Sequence, residues 1–379
     1  MSAAAGSERA LFDVGRQTAF FNVAAMGPLL RSSRVAAVEA VTRRAAPWRV
    51  AAGEWFDLAD ARRAAFARLV GADADGVALV PSASYGFAVA AANLPLGPGQ
   101  AVLAPADDFP SGLDTWRRAA AEGGGRLELV RPEAGETWTD AILRGLTPEV
   151  AIVSVPPVRW VDGAWLDLEV IAEKARSLGA AVVVDATQCV GAQPFDVGPV
   201  DPDFLVCAGY KWLLGPYGLG YLYTALRRRG GRPLEENWIS REGAQDFARL
   251  AEHRPAYRAG ARRFDAGEQV GFELAPAALD AMAQIERWGV SRIASELGAV
   301  TARIELRAAE FGIRPIHAGP RAPHILSLAI AVGSGADARL AASGVHVSRR
   351  GGGLRISPHL HVDEFDLDRL MGALAASPR

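Results

Sequence analysis

Cysteine is scarce: Cys189 and Cys207 are the only two in a chain of 379 residues. That count excludes a disulfide scaffold and a Cys-rich metal centre, and it suits a reducing cytoplasm. An excess of charge of one sign is also missing. Lys plus Arg total 41 and Asp plus Glu total 43, for a formal net charge of −2. Such a balance offers nothing to grip a nucleic acid or an anionic membrane surface, so neither is expected as a partner. No apolar run approaches the roughly 18 residues of a spanning helix. The opening MSAAAGSERALFDVG has no basic stretch followed by an apolar one, so no secretory signal is expected and a cytoplasmic location is. There is no fixed-period repeat, and no metal site is expected. What remains is ordinary globular composition, 50% hydrophobic and 22% charged, enough to bury a large core.

Short apolar runs alternate with Ala-rich helical stretches. The runs are VALV (77–80), AVLAP (101–105), RLELV (126–130), VAIVSV (150–155), AAVVVD (180–185), DFLVCA (203–208) and LGYLYT (219–224). Runs without polar alternation indicate strands buried on both faces. Strand–helix alternation indicates an α/β domain with a mostly parallel sheet of about seven strands and helices on both sides. The pattern stops near Thr224. RRRGGRP (227–233) reads as a solvated connection, and beyond it lie two long helical patterns, then short strands and a terminal helix. The expected organisation is an N-terminal segment over residues 1–30, a large domain over 31–235 and a smaller α+β domain over 236–379. The N-terminal FFNVAAMGPLL (20–30) is too apolar for a free tail, and it is expected to lie across a site, with Asn22 as a substrate-side candidate.

The chemistry concentrates in AAVVVDATQCVGAQPFD and DFLVCAGYKWLLGPYGLGYLY. The first begins with a buried strand ending in an acid, Asp185, with Gln188 three residues on. The second is a buried strand that runs out through Tyr210 to Lys211. Ligands of open α/β sheets bind at the carboxyl ends of strands. An amine held there in apolar surroundings loses its proton readily and becomes a nucleophile. A lysine and an acid so placed suit pyridoxal phosphate: the lysine holds the cofactor as a Schiff base and the carboxylate keeps the pyridine nitrogen protonated. From these two residues alone, a buried Asp–Lys ion pair that merely ties the core fits as well. Three further stretches favour the first reading. PSASYGF (81–87) opens a helix with small residues, which lets backbone N–H groups approach a phosphate. APADDFPSG (104–112) offers Phe109 at the same sheet end, and GLRISPHLH (353–361) offers Arg355 as a carboxylate clamp.

In that order along one chain, these stretches resemble the class-V aminotransferases among the fold-type-I pyridoxal phosphate enzymes. That group includes cysteine desulfurases, selenocysteine lyases, kynureninases and isopenicillin N epimerases. The resemblance runs from FFNVAAMGPL to LRISPHL and is strongest in D-A-T-Q followed by Y-K. It implies pyridoxal 5'-phosphate bound to Lys211, Asp185 on the pyridine nitrogen, Gln188 on the ring oxygen, and Ala83 and Ser84 at the phosphate turn. Phe109 then stacks on the ring, as in kynureninases, and Tyr210 stands where desulfurases carry His. GEQVGFELAP (267–276) resembles the loop that reaches the partner subunit's phosphate, so a homodimer with its active site near the interface is implied. Two departures stand out. PPVRW (156–160) replaces the usual segment and puts Arg159 and Trp160 on the substrate side. No Cys follows Cys207, which argues against persulfide chemistry. The resemblance implies an enzyme acting on a small amino acid or amine, as a lyase of C–S or C–C bonds by elimination or as an aminotransferase. An epimerase is the alternative within the family. From other classes, a cofactor-free Schiff-base lyase and a non-catalytic cofactor-binding regulator also fit.

Overall fold

A computed structural model describes residues 7–252, 254–317 and 319–375. After a two-residue strand β1 (Ala19–Phe20), seven strands build one sheet: β2 (Val77–Val80), β3 (Ala101–Pro105), β4 (Arg126–Val130), β5 (Val150–Val155), β6 (Ala181–Asp185), β7 (Phe204–Ala208) and β8 (Gly220–Thr224). Their spatial order is β2-β8-β7-β6-β5-β3-β4. All neighbours are parallel except β8, which is antiparallel to both β7 and β2. The connection from β7 to β8 is too short for the dozen or more residues of a crossover, so the chain can only turn back on itself.

Apolar side chains cover both faces. Phe87 and Trp116, from helices Ala83–Asn93 and Pro110–Gly123, pack on one face. Phe66, Trp138, Ile142 and Ile171 pack on the other, with Met282 and Ile285 of helix Ala275–Trp288 in the same core. RLELV departs from the both-faces-buried expectation: β4 is half exposed because it closes the sheet on one side. The basic stretch 227–233 is tied down, since Arg227 and Arg228 both bond Asp203 and Arg229 bonds Asp73.

Further along, β9 (Leu326–Leu328), β11 (Ser348–Arg350) and β12 (Gly353–Ile356) form an antiparallel sheet with β12 in the middle, while β10 (Val345–His346) pairs in parallel with β1. Helices Val290–Glu310, Ala336–Ala342 and Glu364–Ala375 close this second core, which also takes Ala19 and Phe21. The N-terminal segment thus straps the two parts together: Phe12, Val23, Ala24 and Leu30 belong to the first core. It also passes the lysine, where the Gly27 N–H bonds the Tyr210 carbonyl.

Candidate active site

The carboxyl ends of β3, β5, β6 and β7 open into a cavity of about 300 Å³. Eight residues singled out in the sequence line it: Ala83, Ser84, Phe109, Trp160, Asp185, Gln188, Tyr210 and Lys211. Each arrives for a local reason. Asp185 is the last residue of β6, and one of its oxygens accepts the Thr187 N–H at 2.9 Å. Burial raises its pKa against that bond and against the pull of Lys211. Lys211 lies just past β7, 7% exposed. Its Nζ sits 5.2 Å from the Phe109 ring centroid and 5.7 Å from that of Tyr210. Burial pushes its pKa down to about 8, although Asp185 pulls the other way. No ion pair joins the two: space separates them.

Gln188 is held at both ends. Its Nε2 donates to the Ala24 carbonyl at 3.0 Å and its Oε1 accepts from Trp212 Nε1 at 2.7 Å. One amide hydrogen is left for a ligand in the cavity. Ser82 caps helix Ala83–Asn93, its Oγ accepting the Tyr85 N–H and lying 2.9 Å from Ser84 Oγ. The helix's first N–H groups and two hydroxyls thus face one corner of the cavity, an arrangement suited to an oxyanion.

This cavity lies inside the stretch, residues 49–353, that matches the model for aminotransferase class V. The chain belongs to the class-V aminotransferase family. It is 28% identical over 313 residues to the uncharacterized aminotransferase YcbU of Bacillus subtilis, covering 82% of this chain and 81% of the relative. It is 31% identical over 241 residues to a kynureninase of Deinococcus radiodurans, covering 62% and 56%. Among solved structures, the cystine C–S lyase C-DES in complex with cysteine persulfide superposes with a TM-score of 0.85 over 96% of this chain and 98% of that one, at 19% identity. The fold is therefore the fold-type-I arrangement of pyridoxal phosphate enzymes.

The family's cofactor is pyridoxal 5'-phosphate, and the cavity's own groups fit it. A half-buried carboxylate without an ion-pair partner suits a pyridinium, a buried amine suits an aldehyde, an amide hydrogen suits a ring hydroxyl, and the capped helix end suits a phosphate. Phe109, 38% exposed, offers a ring face beside Lys211.

The remaining candidates stand apart from the wall. Arg159 does not reach the cavity. Its guanidinium lies 3.6 Å from the Trp138 ring centroid, pairs with Asp162 at 3.3 Å and donates to the Ala106 carbonyl. These partners hold it buried, whereas the next residue, Trp160, lines the cavity. Asn22 bridges Ser357 beside the site, and its Oδ1 is buried without a partner. Arg355 is 1% exposed and donates to the Trp160 carbonyl at 2.5 Å. Burial and the adjacent Arg350 push its pKa down to about 9.

One cavity group escaped the sequence reading. Asp108 stands beside Phe109 in the wall, where burial and Asp185 raise its pKa to about 7. The sequence signal was present, an acid directly before the aromatic residue at a strand end, but it reads equally as a helix-entry turn. Both cysteines are fully buried. Burial raises Cys189 to about 12 and Cys207 well above its usual value.

Proposed function

We propose that this family member is a lyase or aminotransferase acting on a small amino acid or amine, with Lys211 as the residue that attaches the cofactor and then moves the substrate's α-proton. The observation that carries this reading is the pair Asp185 and Lys211, facing one cavity from neighbouring strands with room between them. When bound, the cofactor's ring supplies an electron sink for bond breaking at the substrate's α-carbon. The protein's residues do the rest. Asp185 would hold a proton on the ring nitrogen, and the partly desolvated cavity wall would strengthen that ion pair. Gln188 bonds the ring oxygen, Ser84 and the helix end after Ser82 bind the phosphate, and Phe109 covers one ring face. Lys211 Nζ would take the α-proton as a general base, a role suited to an amine whose pKa burial lowers to about 8. Arg355, set behind the cavity-lining Trp160 with its Nε unbonded, would receive the substrate carboxylate.

Persulfide transfer has little support, because both thiols are buried and a buried thiol is protonated and inert. The reading includes a homodimer. Val35, Val38 and Val41 on helix Arg31–Arg44 are 47%, 58% and 56% exposed, and Trp48 is 81% exposed, a stripe that a second subunit would cover. Loop 267–276 would then face the partner's site.

The test is a screen of amino acids and amines against the absorbance of the purified, cofactor-loaded protein, with product identification. A keto acid or a cleavage product from at least one amino acid is the expected result. A protein that takes up the cofactor yet converts nothing would be a binding protein and would overturn the reading.

A further inference from the structure

We infer that the substrate carries a second oxyanion besides its α-carboxylate, and that Arg350 receives it; this rests on the function proposed above. On the β11–β12 pair, Ser348 lies opposite Arg355 and Arg350 lies opposite Gly353. Strand residues two apart share a face, so Arg350 and Arg355 emerge diagonally from one face of this sheet. Both meet Trp160. Arg355 Nη1 donates to its carbonyl, and Arg350 Cζ lies 5.7 Å from its ring centroid. Trp160 in turn lines the cavity, edge-on to Phe109 with centroids 5.4 Å apart. Both guanidiniums are close enough to Lys211 to repel a proton from it.

Neither arginine has a carboxylate partner among the described residues. The neighbouring Arg349 pairs with Asp337, which shows what a satisfied arginine on this strand looks like. Arg350 spends one nitrogen on the Arg349 carbonyl. Arg355 Nε is buried without a bond, and so are Ser348 Oγ and Ser327 Oγ, the two hydroxyls flanking Arg355 across the sheet. Two like charges held side by side, Arg355 buried among unbonded donors and Arg350 half-buried next to it, are costly without anions to meet them. One α-carboxylate answers one guanidinium in bidentate fashion. The second cation calls for a second oxyanion, a carboxylate or a sulfur oxyanion, on the substrate's side chain.

The test uses the cofactor-loaded protein and isosteric pairs: L-aspartate against L-asparagine, L-glutamate against L-glutamine, and L-cysteate for a sulfur oxyanion. Apparent Kd is read from the cofactor absorbance. It is read again from tryptophan fluorescence of the cofactor-free protein, which needs no turnover. At least one acidic amino acid is expected to bind roughly 10- to 100-fold more tightly than its amide, the range of a charge-assisted bond. Arg350→Ala should collapse that ratio towards one, and Arg350→Lys should restore part of it. Tighter binding of cysteate than of aspartate and glutamate would assign the sulfur oxyanion, and the reverse the carboxylate. Equal binding of acid and amide, or a ratio unchanged in Arg350→Ala, would overturn the inference while leaving the enzyme reading intact. Failure of any amino acid to perturb the loaded protein would remove both.

Discussion

Asp185 and Lys211 share a cavity at the ends of adjacent strands and do not pair with each other. Had they closed into an ion pair, the lysine would hold its proton well above neutral pH; as it stands, burial outweighs the pull of Asp185 and lowers its pKa to about 8. The unpaired arrangement is costly in the free protein and is the state that a ligand with both a cationic and an aldehyde-like end relieves.

Lys211 is one of only two lysines in the chain, the other being Lys174, so attachment is simple to map. Borohydride reduction of the loaded protein, followed by peptide mapping, should label Lys211. Lys211→Ala should hold the cofactor without a covalent bond and lose turnover by orders of magnitude. A label on Lys174, which sits in the last turn of helix Leu168–Ser177, would refute the assignment.

The depressed lysine pKa has a signed consequence for stability. In the unfolded chain the amine titrates near 10.4, above its folded value. Between about pH 8 and 10.4 the unfolded state binds more protons, so stability rises with pH across that window. Replacing the amine by Lys211→Met should therefore stabilise the cofactor-free protein most below pH 8. The gain should fade towards pH 10.4. Equal Tm differences at pH 7 and pH 10.5 would contradict this.

Asp185→Asn removes a half-buried carboxylate that Thr187 bonds with its N–H and with its side chain. The cofactor-free protein should keep or gain Tm, whereas cofactor affinity and turnover should fall together. Near-normal turnover would sink the role of Asp185 on the pyridine nitrogen.

Asp108 should titrate in the cofactor-free protein far above an ordinary carboxyl, near 7. Here the folded state holds the proton longer, so stability is lost as pH rises from about 4 to 7. Asp108→Asn should flatten that slope, giving a variant more stable than wild type at pH 8 and not at pH 4. Parallel Tm–pH curves for the two proteins would show that neither burial nor Asp185 perturbs Asp108.

The double variant Cys189→Ala, Cys207→Ala should retain most activity, and a thiol reagent should leave the native protein unlabelled. Accumulation of persulfide on the wild type supplied with cysteine would restore the sulfur-transfer reading.

Much of the large sheet was legible because its strands are buried on both faces. VALV, AVLAP and VAIVSV carry no polar residue to blur the pattern, save one serine, and their bounds match β2, β3 and β5. RLELV was legible as a strand but not as an edge, because edge position depends on which strands come to lie beside it. Arg159 and Trp160 were inseparable as substrate-side candidates. They are adjacent in sequence, and only the path of the chain after β5 sends one to Trp138 and the other into the cavity.

The sequence by itself determined the strand ends and what they carry: an acid after VVV, a lysine after FLVCAGY and small residues before a helix. These are local facts, set by which few residues a buried strand can end on. Tertiary structure alone decided what gathers around them. Arg350 and Arg355 reach Trp160 across about 190 residues of chain because β11 and β12 pair in one register. Gln188 is oriented by the distant Ala24 and by Trp212. Such contacts depend on loop paths and sheet order, summed over many weak packing preferences, and no short stretch of residues encodes them.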